Sequence, residues 1–355
     1  MSIVIIENVS RRDLLKLAAA GTLPLVAPRA AWAQAAPPIL KPLPPEWFVV
    51  HGTNAEMRWE SVRDRLIANE RFFVRNHTRT PSIDRATWRL TVHGTGVRRP
   101  LRLSLRDLER LPSRSLTAIV ECAGNGRSFF GSQQGTPASG TPWKLGGIGA
   151  ARWRGVPLAE VLDRAGLRRA AVDVLAEGLD DPYVTGGVDY GRVRRPIPIA
   201  KALDDVLLAY EMNGRDLPAD HGAPLRLVVP GWIGITSIKW LGRLEVSDAP
   251  IETAWNTKWY PGLGVQPVKS AFELAWDAEI PAYRRTTLTG RSWSGNAPIR
   301  RVEVSTDGGA HWTRARLHGP NERYGWVRWE LPFKPRPGRH ELLARATDRS
   351  GLTQP

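Results

Sequence analysis

The chain has 355 residues, 50 Lys+Arg against 35 Asp+Glu, and a single cysteine. That length carries about two domains, and a 42% apolar fraction supports a sizeable core and excludes wholesale disorder. One cysteine excludes an internal disulfide, a multi-cysteine zinc or iron–sulfur site and a c-type haem attachment motif, while a formal charge of +15 admits nucleic acid, an anionic surface or a small anionic substrate.

In chain order, Arg11-Arg12 precede an apolar stretch, Leu17 to Pro28, and Ala31-Trp32-Ala33 then offers a small-x-small cleavage site. Residues 1–33 therefore read as a twin-arginine export signal, which places the protein in the periplasm. Pro24 and Pro28 break this stretch, and no other segment is long and apolar enough to span a bilayer, so no membrane span is expected. Residues 34–46 read as an extended Pro/Ala arm. Phe72 to Val92 reads as a strand ending in the turn at Gly94. Leu103 to Leu111 reads as a helix that Ser104 can cap. Thr117–Glu121 is a short buried strand, and Val156–Leu162 a helix with a proline near its start. Val172–Ala176 and Leu225–Pro230 are further strands. The mixture lacks a regular βαβ period, so residues 34–260 read as an α+β domain. From 261 to 355 short alternating segments are separated by Gly- and Asp-containing turns, which is the pattern of an all-β sandwich.

The cysteine ends a strand in Glu121-Cys122-Ala123-Gly124-Asn125-Gly126-Arg127. A lone cysteine is commonly an inert buried side chain. Small residues followed by a guanidinium, however, give close backbone approach and positive potential, which favour a thiolate. Phe73-Val74-Arg75-Asn76-His77 sets three polar side chains in a row, as an anion site or a solvated turn. His221 and Arg226 flank a turn. Ser237 and Lys239, either side of Ile238, are expected on one face of a strand. Tyr260 supplies a phenol near the domain junction, where pockets form.

Together FVRNH (73–77), ECAGNGR (121–127), LLAYEMNG (207–214), DHGAPLRLVVPG (220–231) and SIKWLGR (237–243) resemble the sulfite oxidase family of molybdenum-cofactor enzymes. The resemblance implies an α+β molybdopterin-binding domain followed by an immunoglobulin-like dimerisation domain. It also implies that Cys122 is the protein ligand of molybdenum. Phe73, Val74, Arg75, Asn76, His77, Asp180 (with Asp181 the competing assignment), His221, Arg226, Ser237, Ile238 and Lys239 would bind the pterin. Arg75, Arg127 and Tyr260 would surround the substrate oxyanion, with Trp143 as an aromatic wall.

The implied reaction is oxidation of sulfite to sulfate, the electrons passing to an external acceptor such as a c-type cytochrome, with no haem in this chain. Two departures stand out. Sulfite-oxidising members carry an arginine in a Ser-Gly-Gly-Gly-Arg stretch, and here Ser294-Gly295-Asn296-Ala297-Pro298 places Ala297 at that position. The family sandwich also runs further than Thr353-Gln354-Pro355. Two alternatives follow: a related molybdenum enzyme acting on sulfoxides or other sulfur compounds, or an exported basic protein that binds polyanions without catalysis. Against the second, the basic residues are scattered among acidic ones, without basic stripes, so no nucleic-acid partner is expected. A homodimer is the expected assembly.

Overall fold

The computed structural model describes residues 37–262 and 264–354, so the expected export signal lies outside the described residues. The first domain is built on two sheets. One is five-stranded, in the order Arg194–Pro198, Asp173–Gly178, Leu241–Ser247, Leu90–His93, Leu101–Leu103. Its Leu241–Ser247 and Leu90–His93 strands run parallel, while every other neighbour in it is antiparallel. The second sheet runs Arg215–Asp216, Leu207–Met212, Ile148–Pro157, Arg114–Glu121, and Arg226–Val228 also pairs with Leu207–Met212.

Local chemistry explains the short helices between them. Leu105–Glu109 starts from a reciprocal capping box, Ser104 accepting the Asp107 N–H while Asp107 accepts the Ser104 N–H. Leu158–Arg164 and Ile199–Asp204 each begin directly after a proline, which cannot donate and whose fixed φ suits a helix start. The apolar faces of these helices and the five-stranded sheet share one core, including Leu90, Val161 and Leu244, which Leu208 of the second sheet joins. Burial of this kind, at roughly 25 cal/mol per Å² of apolar surface, is what holds the layers together.

A second core lies under the Arg114–Glu121 strand. It joins Phe72, Ile119 and Trp153 of the first domain to Trp293 and Trp326 of the second, so the two domains are not independently cored. The second domain places seven strands in two sheets. Lys269–Phe272, Thr286–Trp293, Trp326–Phe333 and Arg316–His318 form one; Thr313–Arg314, Ile299–Ser305 and Leu343–Asp348 form the other. Leu288 and Trp329 from the first sheet and Val302 and Ala346 from the second meet in a common core.

Two sequence expectations need correction. The strand expected from Phe72 to Val92 is present only at Leu90–His93. Val74 instead exchanges both backbone hydrogen bonds with Ala55, at 2.9 and 2.8 Å, which leaves 75–76 irregular and 77 at a bend beside the cleft described below. Ser237 and Lys239 are not on a strand either. A 3₁₀ turn, Gly234–Thr236, precedes them, and Trp240 has φ +51°, so regular pairing begins only at Leu241.

Candidate active site

A cleft opens between the ends of the two first-domain sheets. Its lining comes from four chain segments: Phe72 to His77, Cys122–Ala123, Asp220 to Arg226, and Gly234 to Trp240, with Asp180 and Tyr260 closing the rim.

Cys122 sits where the Arg114–Glu121 strand ends, and its Sγ accepts the Gly124 N–H at 3.4 Å. Gly124 leaves room for the Arg127 guanidinium, whose carbon would lie 2.6 Å from a Cβ there. Arg226 is buried. It donates from Nη1 to the His221 carbonyl and from Nη2 to the Ser237 carbonyl, each at 3.1 Å, and lies over Trp153 at 4.8 Å. Its donors therefore tie together two of the lining segments. Ser237 Oγ accepts the Val229 N–H at 3.1 Å, which fixes the same turn. Lys239 Nζ reaches Asn76 Oδ1 and the Asp220 carbonyl, the latter at 2.9 Å. Gly222, at φ +110°, lets this approach occur, since a Cβ there would meet Lys239 Cα and Cβ at 3.1 Å.

The rim is a chain of three groups. Arg75 Nη2 donates to Tyr260 Oη at 3.2 Å, and that oxygen lies 3.3 Å from His77 Nε2. Desolvation, with the charges of Arg75 and Lys239, holds His77 well below its usual range, so it is neutral and can accept the phenol proton. Desolvation likewise lowers His221 and Lys239 well below their ordinary values, and raises the Asp180 carboxyl to about 6.

These groups fit an anionic cofactor. Arg75, Arg226 and Lys239 line the cleft against only two carboxylates, Asp180 and Asp220. Asp220 is already saturated: it accepts the Leu40 and Lys41 N–H groups, the latter at 2.7 Å, and the Thr80 hydroxyl at 2.6 Å. Arg75 Nη1 and Asp180 Oδ1 are buried without a partner. Excess desolvated positive charge with an orphaned guanidinium nitrogen calls for a phosphate-bearing ligand, and the thiol facing the same space suits a soft metal.

Of the expected site residues, Phe73, Arg75, Asn76, His77, Cys122, Asp180, His221, Arg226, Ser237, Ile238, Lys239 and Tyr260 line this cleft. Val74, Arg127 and Trp143 do not. Val74 is buried behind it. Arg127 turns back to donate to the Thr141 carbonyl at 2.9 Å. Trp143 is buried edge-on to Phe73, with ring centroids 6.3 Å apart. Between the two aspartates, Asp180 lines the cleft while Asp181 is exposed.

Two contributors carried no sequence signal, and a third carried only a partial one. Arg195 binds the carbonyls of Trp255 and Tyr260, at 2.6 and 3.2 Å, and so anchors the segment bearing the phenol. Lys41, in the N-terminal arm, donates to the carbonyls of Phe72 and Asn69 and approaches His221 Nε2 at 3.5 Å. Asp220 was visible only as part of a motif, and its role as the arm's anchor depends on a contact 180 residues away.

Taken together, the cleft and the two-domain frame suit a molybdopterin-dependent oxidoreductase, and comparison with known proteins shows that class. The profile of the oxidoreductase molybdopterin binding domain matches residues 77–255, and that of the Mo-co oxidoreductase dimerisation domain matches residues 266–355. The chain is 38% identical over 334 residues to the sulfite oxidase of Gallus gallus, spanning 85% of this chain and 71% of that protein. It is 38% identical over 333 residues to the mitochondrial sulfite oxidase of Homo sapiens, of which it spans 60%. The solved structure of the sulfane dehydrogenase SoxCD from Paracoccus pantotrophus superposes with a TM-score of 0.74 at 30% identity, covering 85% of this chain and 77% of that one. The chain belongs to the sulfite oxidase family of molybdenum-cofactor oxidoreductases.

Proposed function

We propose that the protein oxidises sulfite to sulfate at a molybdenum held by Cys122, and that it passes the electrons to an external acceptor such as a c-type cytochrome. The observation that carries this reading is the cationic cleft, in which Arg75 Nη1 has no partner and which the only cysteine of the chain also lines. When bound, molybdopterin supplies a metal centre that accepts two electrons and transfers oxygen to the substrate. This chain supplies the surroundings. Arg226 and Lys239 would hold the pterin's anionic groups, with His221, Asp180 and Phe73 lining the same cleft. Arg75 orients the substrate oxyanion. Tyr260 Oη, accepting from Arg75 and donating to neutral His77, presents a phenol of fixed direction to the same space. The unpartnered Arg75 Nη1 is a fixed donor, and such donors favour oxyanion chemistry because they need no reorganisation.

A second reading keeps the cofactor and changes the sulfur substrate. Ala297 favours it, because the arginine that sulfite-oxidising relatives carry at that position is missing. Similarity to a sulfane dehydrogenase supports the same alternative. Steady-state assays of the molybdenum-loaded protein with sulfite, a sulfane-sulfur compound and methionine sulfoxide decide. A kcat/KM for sulfite at least tenfold above the others sustains the lead reading, and a higher value for either competitor replaces it.

The sequence further supports export by a twin-arginine route to the periplasm, and the match to a dimerisation domain supports a homodimer with an immunoglobulin-like second domain. Among the described residues no helix is long and apolar enough to cross a membrane.

A further inference from the structure

We propose that Glu121 is a positioning residue for Cys122, through which the second domain holds the thiol in place. The proposal rests on the reading of Cys122 as the metal ligand. Glu121 directly precedes the cysteine, and its side chain is 3% exposed. Its carboxylate is fully engaged. Oε1 accepts from Asn125 Nδ2 at 3.2 Å and from Lys269 Nζ at 2.8 Å, and Oε2 accepts from the Trp293 indole N–H at 3.0 Å.

The first of these donors belongs to the cysteine loop, and the other two to the Lys269–Phe272 and Thr286–Trp293 strands of the second domain. The loop is then closed on itself. The Asn125 N–H donates to the Cys122 carbonyl at 2.9 Å, Asn125 Oδ1 accepts the Gly147 N–H at 3.0 Å, and the Cys122 N–H returns to the Gly147 carbonyl at 2.8 Å. Two residues upstream, the Ile119 N–H donates to the Tyr324 carbonyl of the second domain at 2.8 Å. The strand that ends at the thiol is thus braced from the second domain at alternate residues, the more distal brace being a buried charge. A buried carboxylate with three donors is rigid because each alternative position leaves a donor unpaired. The second domain therefore acts on the site as well as on assembly.

The test uses the molybdenum-loaded full-length protein. Its one cysteine makes alkylation by iodoacetamide, followed by mass spectrometry, a direct reading of how often Cys122 leaves the metal. Metal retained after prolonged dilution is the second reading. Glu121→Gln places an amide N–H against the Trp293 N–H or the Lys269 ammonium. Alkylation should then accelerate about tenfold, and molybdenum should be lost faster. Adding Trp293→Phe to Glu121→Gln removes one clashing donor and should recover a large part of the protection. Val302→Ala, in the core of the second domain away from Glu121, lowers the melting temperature without changing the alkylation rate. Overturning results are distinct. A protected wild-type thiol with Glu121→Gln alkylated within twofold of it refutes the clamp. Acceleration by Val302→Ala equal to that of Glu121→Gln also refutes it, reducing Glu121 to general stability. A wild-type thiol as reactive as free cysteine refutes the ligand reading and the clamp with it.

Discussion

Lys41 offers a quantitative test of how the N-terminal arm is joined to the cofactor cleft. Its amine is drawn against the Phe72 and Asn69 carbonyls and the His221 ring, and desolvation lowers it from 10.5 to about 7, opposed by the charges of Asp220 and Glu70. An unfolded lysine stays near its ordinary value. Between those two values the unfolded chain binds the proton more readily than the folded one, so stability rises with pH across that window. Below about pH 7 both states carry the charge and the slope vanishes. The gap corresponds to about 5 kcal/mol if the amine is fully desolvated. The lysine is only half-buried, so solvent screening reduces this to roughly 2–3 kcal/mol. Lys41→Met keeps the apolar stem and removes the titration. It forfeits the two carbonyl contacts, but that cost does not vary with pH. In urea unfolding of cofactor-free protein, the variant should be at its weakest relative to wild type near pH 10. It should then gain roughly 2–3 kcal/mol on wild type by pH 7, or about 1 M in midpoint. Other titrating groups cancel in the difference. Parallel stability profiles for the two proteins would refute the argument, because they would mean that the amine is charged and solvated throughout.

Asp220→Ala should release the arm, because it orphans two backbone N–H groups and the Thr80 hydroxyl; we expect a loss of about 3 kcal/mol in urea unfolding and new chymotryptic cleavage after the exposed Leu40. Cys122→Ser should leave the melting temperature nearly unchanged yet abolish molybdenum retention, read by elemental analysis; a loaded serine variant would remove the thiol from the metal. Tyr260→Phe breaks the Arg75–Tyr260–His77 chain, and sulfite kcat/KM should fall roughly 10- to 100-fold while metal content stays the same. Arg75→Gln should act mainly on KM for the anion, and an unchanged KM would exclude the guanidinium from the substrate's path.

How much could be read without coordinates depended on the range of the interaction. The capped helix at Leu105–Glu109, the strand leading to Cys122 and the β-strands of the second domain follow from local patterns: a capping residue, an apolar run, alternation. The place of Cys122 at a strand end was legible for the same reason, but the direction of the Arg127 guanidinium was not. Expectations failed where backbone partners come from afar. Val74 pairs with Ala55 in place of extending a strand, and Ser237 to Trp240 turn because Arg226 and Lys239 fasten them to Asp220, His221 and Asn76.

The electrostatics of the site belong wholly to the tertiary arrangement. Residue identities established that the chain holds one thiol and an excess of cations; folding determined which cations are desolvated together, that Asp220 is consumed by the arm, and that Arg127 faces Thr141 and turns away from the cleft. A side chain's charge is a property of its type, whereas the energy of that charge depends on the solvent and partners it loses, and those are set by segments up to 185 residues apart.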